Sequence, residues 1–233
     1  MNSIIVEISV IFLPVMVAVI LHEYAHGWVA EKRGDPTARI MGRLTLNPLP
    51  HIDIFGTILL PIIFVLLKSG IIFGYAKPVP VNFMNLKKPK EDMVLVAAAG
   101  PITNFLLAFL SGLLFKIISL IYPEILFSLH LKYFSSAHKG VAAFVLIPFG
   151  IMLIKSVFIN VILAIINLMP IPPLDGGRIL VGLLPYPYSE KIERIEPFGI
   201  FIFLAILFLD PFGIYSNVIG NLIFLLIRLF LWI

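Results

Sequence analysis

The run H-E-Y-A-H places His22, Glu23 and His26 within little more than one helical turn. Two histidines at i and i+4 share one face of a helix, which is the spacing that a single zinc ion needs from one helix. Glu23, about 100° further round from His22, can reach a metal-bound water as general base. Zinc lowers the pKa of bound water from about 15.7 to about 7, so attack on a peptide carbonyl becomes feasible at neutral pH. The pattern fixes only three positions and also arises by chance in soluble proteins. Here it closes a long apolar stretch, where a central Asp or Lys costs roughly 2.5 to 3.5 kcal/mol on insertion scales. A glutamate between two histidines is costly to keep there without a function.

A catalytic zinc usually takes three protein ligands and leaves a fourth position for water. The chain has no cysteine, so the third ligand must be His, Asp or Glu. The candidates are Asp175, His51, Asp53, His130 and His138, with Asp210 remote in the tail. Asp175 follows a helix broken by Pro170, Pro172 and Pro173 and precedes Gly176 and Gly177, two backbone-distorting elements that could hold it at membrane depth. His130 and His138 sit in a connection expected on the opposite side of the bilayer. His51 and Asp53, in N-P-L-P-H-I-D, suit hydrogen bonding beside a turn.

These residues must be positioned by membrane helices. Hydrophobic residues make up 60% of the 233 positions and charged ones 13%, against roughly 25% charged in a soluble domain, and the mean hydropathy is +1.07. Apolar runs able to cross a hydrocarbon core of about 30 Å recur along the chain. The expectation is an all-α integral membrane protein, a polytopic helix bundle of about five or six membrane segments, forming one domain over 1–233 with a catalytic core of about 4–185. The first helix spans about Ile4 to Ala30 with a kink at Pro14. It is read as a mature helix rather than a signal peptide, because it lacks a basic start and a cleavage site. Later helices are expected over Met93 to Tyr122 and Val141 to Met169, with a charged loop from Ser189 to Glu196. The runs Phe198 to Leu209 and Phe212 to Ile233 make a closing hairpin. The net charge of +4 is spread over short connections, which argues against a nucleic-acid partner.

Together the motifs resemble the site-2 protease family of intramembrane zinc metalloproteases. H-E-Y-A-H is similar to that family's H-E-x-x-H, and Asn167 to Gly177, N-L-M-P-I-P-P-L-D-G-G, resembles its N-x-x-P-x-P-x-L-D-G. Gly100, Pro101 and Asn104 look like its G-P-x-x-N, and G-R-L-T-L-N-P-L-P-H-I-D from Gly42 resembles the compact bacterial and archaeal branch without a PDZ-like domain. The resemblance covers about residues 10–185. It implies one zinc ion per chain held by His22, His26 and Asp175, with Glu23 as base. Asn167 would be a substrate-positioning or oxyanion-stabilising side chain. For Asn104, function and a simple helix-to-helix hydrogen bond stand level. The implied substrate is a membrane-anchored protein cut in or near its transmembrane helix, within the lipid bilayer.

Geometry adds a constraint. If every apolar run crossed the membrane, His26 and Asp175 would end on opposite sides. The simplest repair is a re-entrant segment from Ile54 to about Val81, consistent with Pro61, the break at Lys68 to Gly70 and the Gly and Pro positions in F-G-Y-A-K-P-V-P-V. The connections 31–53 and 76–92 then share one side with four Lys or Arg each, against two in 123–140. That bias marks a cytoplasmic face, near which the site would lie in the plasma membrane. A dipping β-like element there could pair with an unwound substrate strand by edge addition. Two other readings compete: a membrane metal-binding protein or transporter, and a silent relative that only binds membrane helices. The first predicts internal repeats, and none is evident. The second is opposed by the intact H-E-Y-A-H.

Overall fold

The computed structural model describes residues 2–66, 74–123, 141–210 and 213–232. In chain order the helices are α1 (Asn2–Arg33), α2 (Thr37–Ile40), α3 (Leu60–Leu66), α4 (Pro89–Ile121), α5 (Val141–Asn167), α6 (Asp175–Leu183), α7 (Tyr188–Glu193), α8 (Gly199–Leu209) and α9 (Gly220–Leu231). Helical turns of the π type, Ile54–Leu59 and Ile214–Ile219, lead into α3 and α9. Three stretches, Val10–Arg33, Pro89–Ile121 and Val145–Asn167, are long and apolar enough to cross a membrane. The protein is therefore an all-α, multi-pass integral membrane protein. The break expected at Lys68 to Gly70 lies outside the described residues.

Contacts between the long helices fix their directions. Arg33, His26 and His22 on α1 meet Asp92, Val96 and Asn104 on α4 in turn, so the two helices run antiparallel. On the other side of α4, Asn104 meets Asn160 and Ser111 meets Ser156, so α5 is antiparallel to α4 and parallel to α1. In lipid no hydrophobic driving force draws apolar helices together, so close packing and polar contacts must do it. Small side chains accordingly fill the contact faces: Ala18, Ala30, Ala97, Ala108 and Ala164 are all buried. Larger residues such as Leu106, Leu110 and Leu229 point outward and are exposed, as expected of surface solvated by acyl chains. An apolar cluster of Phe115, Val157, Val161, Phe203, Ile227 and Leu231 joins α4 and α5 to the closing pair α8 and α9.

Local chemistry sets the ends of the helices. α4 begins with Pro89 at its first turn, where the missing N–H costs nothing, and Asp92 accepts a hydrogen bond from the Lys88 N–H at 2.9 Å. α5 stops at Asn167, just before the proline run. Two short helices go beyond the elements expected from the sequence. One is α7, which occupies most of the charged stretch expected as a loop from Ser189. The other is α6, which starts at Asp175 itself. Helices of six and nine residues are too short for their periodicity to be told from a turn, and the three glycines of α6 weaken its signal further. Among the described residues there is no strand, so the stretch 74–82, expected to include a β-like element, is irregular chain without strand pairing. Pro78 and Pro80 lack backbone donors, and neighbouring side chains occupy several of its remaining groups.

Candidate metal centre

α1 presents His22 and His26 on one face, and both side chains are buried. α4 passes them at Gly100. A methyl group built there would collide with His26 Nε2 and would lie 2.6 Å from His22 Nε2, so only glycine lets α4 approach this closely. Gly176 and Gly177 do similar work on the third side. A Cβ at either would overlap backbone of the preceding turn, at Leu168 and Pro172 respectively. This packing folds α6 back against the end of α5 and swings Asp175 toward the histidines.

The result is a convergence of three acceptors. His22 Nε2 and His26 Nε2 are 3.0 Å apart, His22 Nε2 is 3.2 Å from Asp175 Oδ2, and His26 Nε2 is 3.3 Å from Asp175 Oδ1. These separations match the edge of about 3.3 Å of a tetrahedron with metal–ligand bonds of about 2.0 to 2.1 Å. His26 Nδ1 lies 2.7 Å from the Val96 carbonyl oxygen. That oxygen can only accept, so the proton of a neutral His26 sits on Nδ1 and Nε2 offers a lone pair. Asp175 Oδ2 is buried and accepts no hydrogen bond. Lone pairs facing one another without protons between them repel unless a cation sits among them, so the donor set fits one metal ion. Among the described residues this is the one group of three or more His, Asp or Glu side chains close enough to hold a metal.

A cavity of about 620 Å³ opens onto this centre. His22, Glu23, His26 and Asp175 line it, with Asn167 from the end of α5, Arg178 from α6 and Pro78 to Val81 from the extended segment. Glu23 Oε2 accepts the Val79 N–H at 2.7 Å, a contact that no sequence signal anticipates. Asn167 donates one amide hydrogen to Leu163 O at 2.9 Å within its own helix. The extended segment is held from behind: Arg43 donates to Lys77 O at 2.8 Å and Pro78 O at 3.2 Å, and the Lys77 N–H donates to His51 O at 2.9 Å. With those groups engaged, less of the segment is open to an unwound substrate strand than its sequence suggests.

The remaining candidates stand elsewhere. His51 is buried and donates from Nε2 to Thr45 O at 2.9 Å. Asp53 accepts from Gly56 N at 2.7 Å, and Asp210 accepts from Tyr215 N at 2.6 Å. Each serves local backbone, as the turn chemistry around His51 and Asp53 suggested. His130 and His138 lie outside the described residues. Asn104 makes direct contact with the centre, its Oδ1 lying 2.5 Å from His22 Nδ1.

The family model of peptidase family M50 matches residues 10–209. The chain belongs to peptidase family M50. Membership agrees with the site-2 protease resemblance drawn from the two motifs, and makes the chain a zinc metalloprotease by family. A Bacillus subtilis protein named as zinc metalloprotease YwhC is 39% identical over 205 residues, covering 87% of this chain and 81% of its own. A Mycobacterium tuberculosis protein named as zinc metalloprotease Rip2 is 29% identical over 84% of this chain, which spans 65% of that relative. The zinc metalloprotease MJ0392 of Methanocaldococcus jannaschii is 26% identical over 96% of this chain, which spans 48% of it. No solved structure matches.

Proposed function

We propose that this M50 member is a zinc-dependent endopeptidase that hydrolyses peptide bonds in or near transmembrane helices of membrane-anchored substrates. The observation that carries this reading is the convergence of His22, His26 and Asp175 at the floor of a cavity whose wall includes Glu23. His22, His26 and Asp175 would hold one zinc ion, which when bound would supply Lewis-acid activation of water and of the scissile carbonyl. Glu23 is the general base. The Val79 N–H fixes Oε2, and Oε1 takes the proton of the attacking water and passes it to the leaving amine. Asn167 carries a second amide hydrogen that can meet the substrate carbonyl oxygen as charge develops on it. Pro78 to Val81 form a wall against which an unwound substrate segment can lie.

The one domain spans 1–233, with the catalytic core over about 4–185 and α8 and α9 as a membrane hairpin. Re-entry of the segment between Ile54 and Val81 brings the total to about five or six membrane segments. Two observations support it: the antiparallel course of α1 and α4, and the Lys87 N–H donating to Arg33 O at 3.0 Å, which joins the end of α1 to the start of α4. Lys and Arg are denser in 31–53 and 76–92, which supports a cytoplasmic site in the plasma membrane. Single cysteines at Leu46 and Met84 are expected to label from the cytoplasmic face, and one at Pro123 from the other. Labelling of Leu46 and Met84 from opposite faces would remove the re-entrant reading.

The test of function is cleavage of a membrane-anchored substrate by wild type and Glu23→Gln, each carrying about one zinc per chain. The variant keeps metal and fold, and its turnover falls by roughly 10² to 10⁴, the usual contribution of a general acid or base. Equal cleavage by both proteins would refute the mechanism. Metal transport with no cleavage by either would instead favour a carrier.

A further inference from the structure

Behind His22, on the side away from the cavity, lies a chain of polar side chains buried between α1, α4 and α5. Asn104 and Asn160 are almost fully buried. Uncharged amides at such depth keep their place only when hydrogen-bonded. They are, and the direction of each bond can be read because backbone carbonyls, which only accept, stand along the chain.

Asn160 Nδ2 donates to Ser156 O at 2.9 Å and lies 3.2 Å from Ser156 Oγ. Its amide nitrogen therefore points along α5, and its Oδ1 faces Asn104. Asn104 must meet that oxygen with a donor, and its Nδ2 does so at 2.8 Å, while also donating to Ala18 O at 3.3 Å. With both hydrogens of Nδ2 spent, Asn104 has only Oδ1 to offer His22, at 2.5 Å from Nδ1. An amide oxygen carries no hydrogen, so Nδ1 of His22 must carry the proton. The lone pair of the ring is thereby placed on Nε2, the atom facing His26 and Asp175. Reversing the Asn160 amide would set two nitrogens against each other and would turn Asn104, and the imidazole after it, the wrong way.

We propose that Asn160 is a positioning residue of the metal centre: acting through Asn104, it fixes the protonated nitrogen and the ring orientation of His22. Ser156 O anchors the polarity at one end and Ala18 O in the middle. His26 is oriented by a single backbone carbonyl, so the two imidazoles are held by different means, one by main chain and one by a side-chain relay that substitution can break. The inference rests on the reading of the centre as a zinc site.

The test is a double-mutant cycle on purified full-length protein in lipid nanodiscs. The readouts are zinc affinity by chelator competition and the absorption spectrum of the cobalt-loaded protein, which reports ligand geometry. Asn104→Leu and Asn160→Leu are each expected to weaken zinc binding about 10- to 100-fold, the usual effect of losing an outer partner of a metal ligand, and to shift the cobalt bands. The double variant should match Asn104→Leu alone, because Asn160 has no other route to the ring. Asn160→Asp should retain affinity, since a carboxyl kept protonated in this apolar setting can still donate to Ser156 O and accept from Asn104. Should Asn160→Leu not fold, Asn160→Ala carries the same expectation. Wild-type affinity and spectrum in the variant lacking the Asn160 amide would overturn the inference, and so would losses that simply add in the double variant. Wild-type protein that takes up no metal would overturn the zinc-site reading itself, and the inference with it.

Discussion

His22 and His51 are both buried, yet they belong to regions built on opposite principles. Around His51, side chains answer backbone: His51 donates to Thr45 O and Arg43 to the carbonyls of Lys77 and Pro78. Asp35, fully buried, accepts from the backbone of Thr37 and Asn82 and from the Asn85 amide. Around His22, acceptors are turned toward one another, and the protons that could pair them are drawn outward to Asn104 and Val96. Burial alone does not distinguish a scaffold residue from a functional one. The direction in which hydrogen bonds leave the site does: in the first region they run from side chains to nearby backbone, with His51 Nδ1 and Arg43 Nε left over as single unpartnered nitrogens, whereas in the second three acceptors converge and their partners lie on the far side.

The largest expected break of this contrast is at the centre. Asp175→Ala removes one of three acceptors and should abolish zinc retention and cleavage together, while His51→Ala keeps about one zinc per chain. Elemental analysis after gentle purification checks it, and equal retention by the two variants would erase the distinction between the regions. Next comes Gly100→Ala, which keeps all three candidate ligand side chains and adds a methyl group in the space that the imidazoles occupy. Overpacking typically costs about 1 to 3 kcal/mol. Here it should appear as weaker zinc binding with the apoprotein fold kept, measured by chelator competition beside thermal unfolding.

Asp35→Asn tests the scaffold side and should do the reverse, lowering stability by about 1 to 3 kcal/mol through disturbed buried hydrogen bonds while zinc affinity is kept. A pH dependence belongs to the same group. Burial pushes the Asp35 carboxyl up, but the bonds from Thr37, Asn85 and the Asn82 backbone outweigh it and hold the pKa below the usual carboxylate range. A depressed folded-state pKa means stability that is present above the unfolded value near 4 and is lost as pH falls through the folded value. Asp35→Asn should flatten that acid limb in denaturant titrations. The smallest effect is expected from His51→Ala, about 0.5 to 1.5 kcal/mol for one neutral hydrogen bond, with metal content and cleavage near wild type.

Much of the candidate site is legible in the sequence because its signals are local. H-E-Y-A-H fixes two imidazoles and a carboxylate on one helix by the 3.6-residue period, and the proline run with L-D-G-G marks a helix end that cannot continue. The long helices are legible for the same reason, since a bilayer demands continuous apolar runs. α6 was not, because nine residues of which three are glycines are too short a window to read as a helix until they pack on the preceding turn. Nor was the hold of Val79 on Glu23, in which a main-chain N–H 56 positions away meets a carboxylate.

The sequence by itself determined the candidate ligand types, their spacing on α1, the membrane solvent and the family. The family resemblance named Asp175 as the partner of the two histidines, but the meeting itself is made by tertiary structure, because it depends on glycine-permitted approach at positions 100, 176 and 177. Tertiary structure also decided which nitrogen of each histidine faces inward. That choice is made by carbonyls and amides contributed from other helices, and a hydrogen bond's direction is a property of two partners, which a pattern along one strand of chain cannot encode.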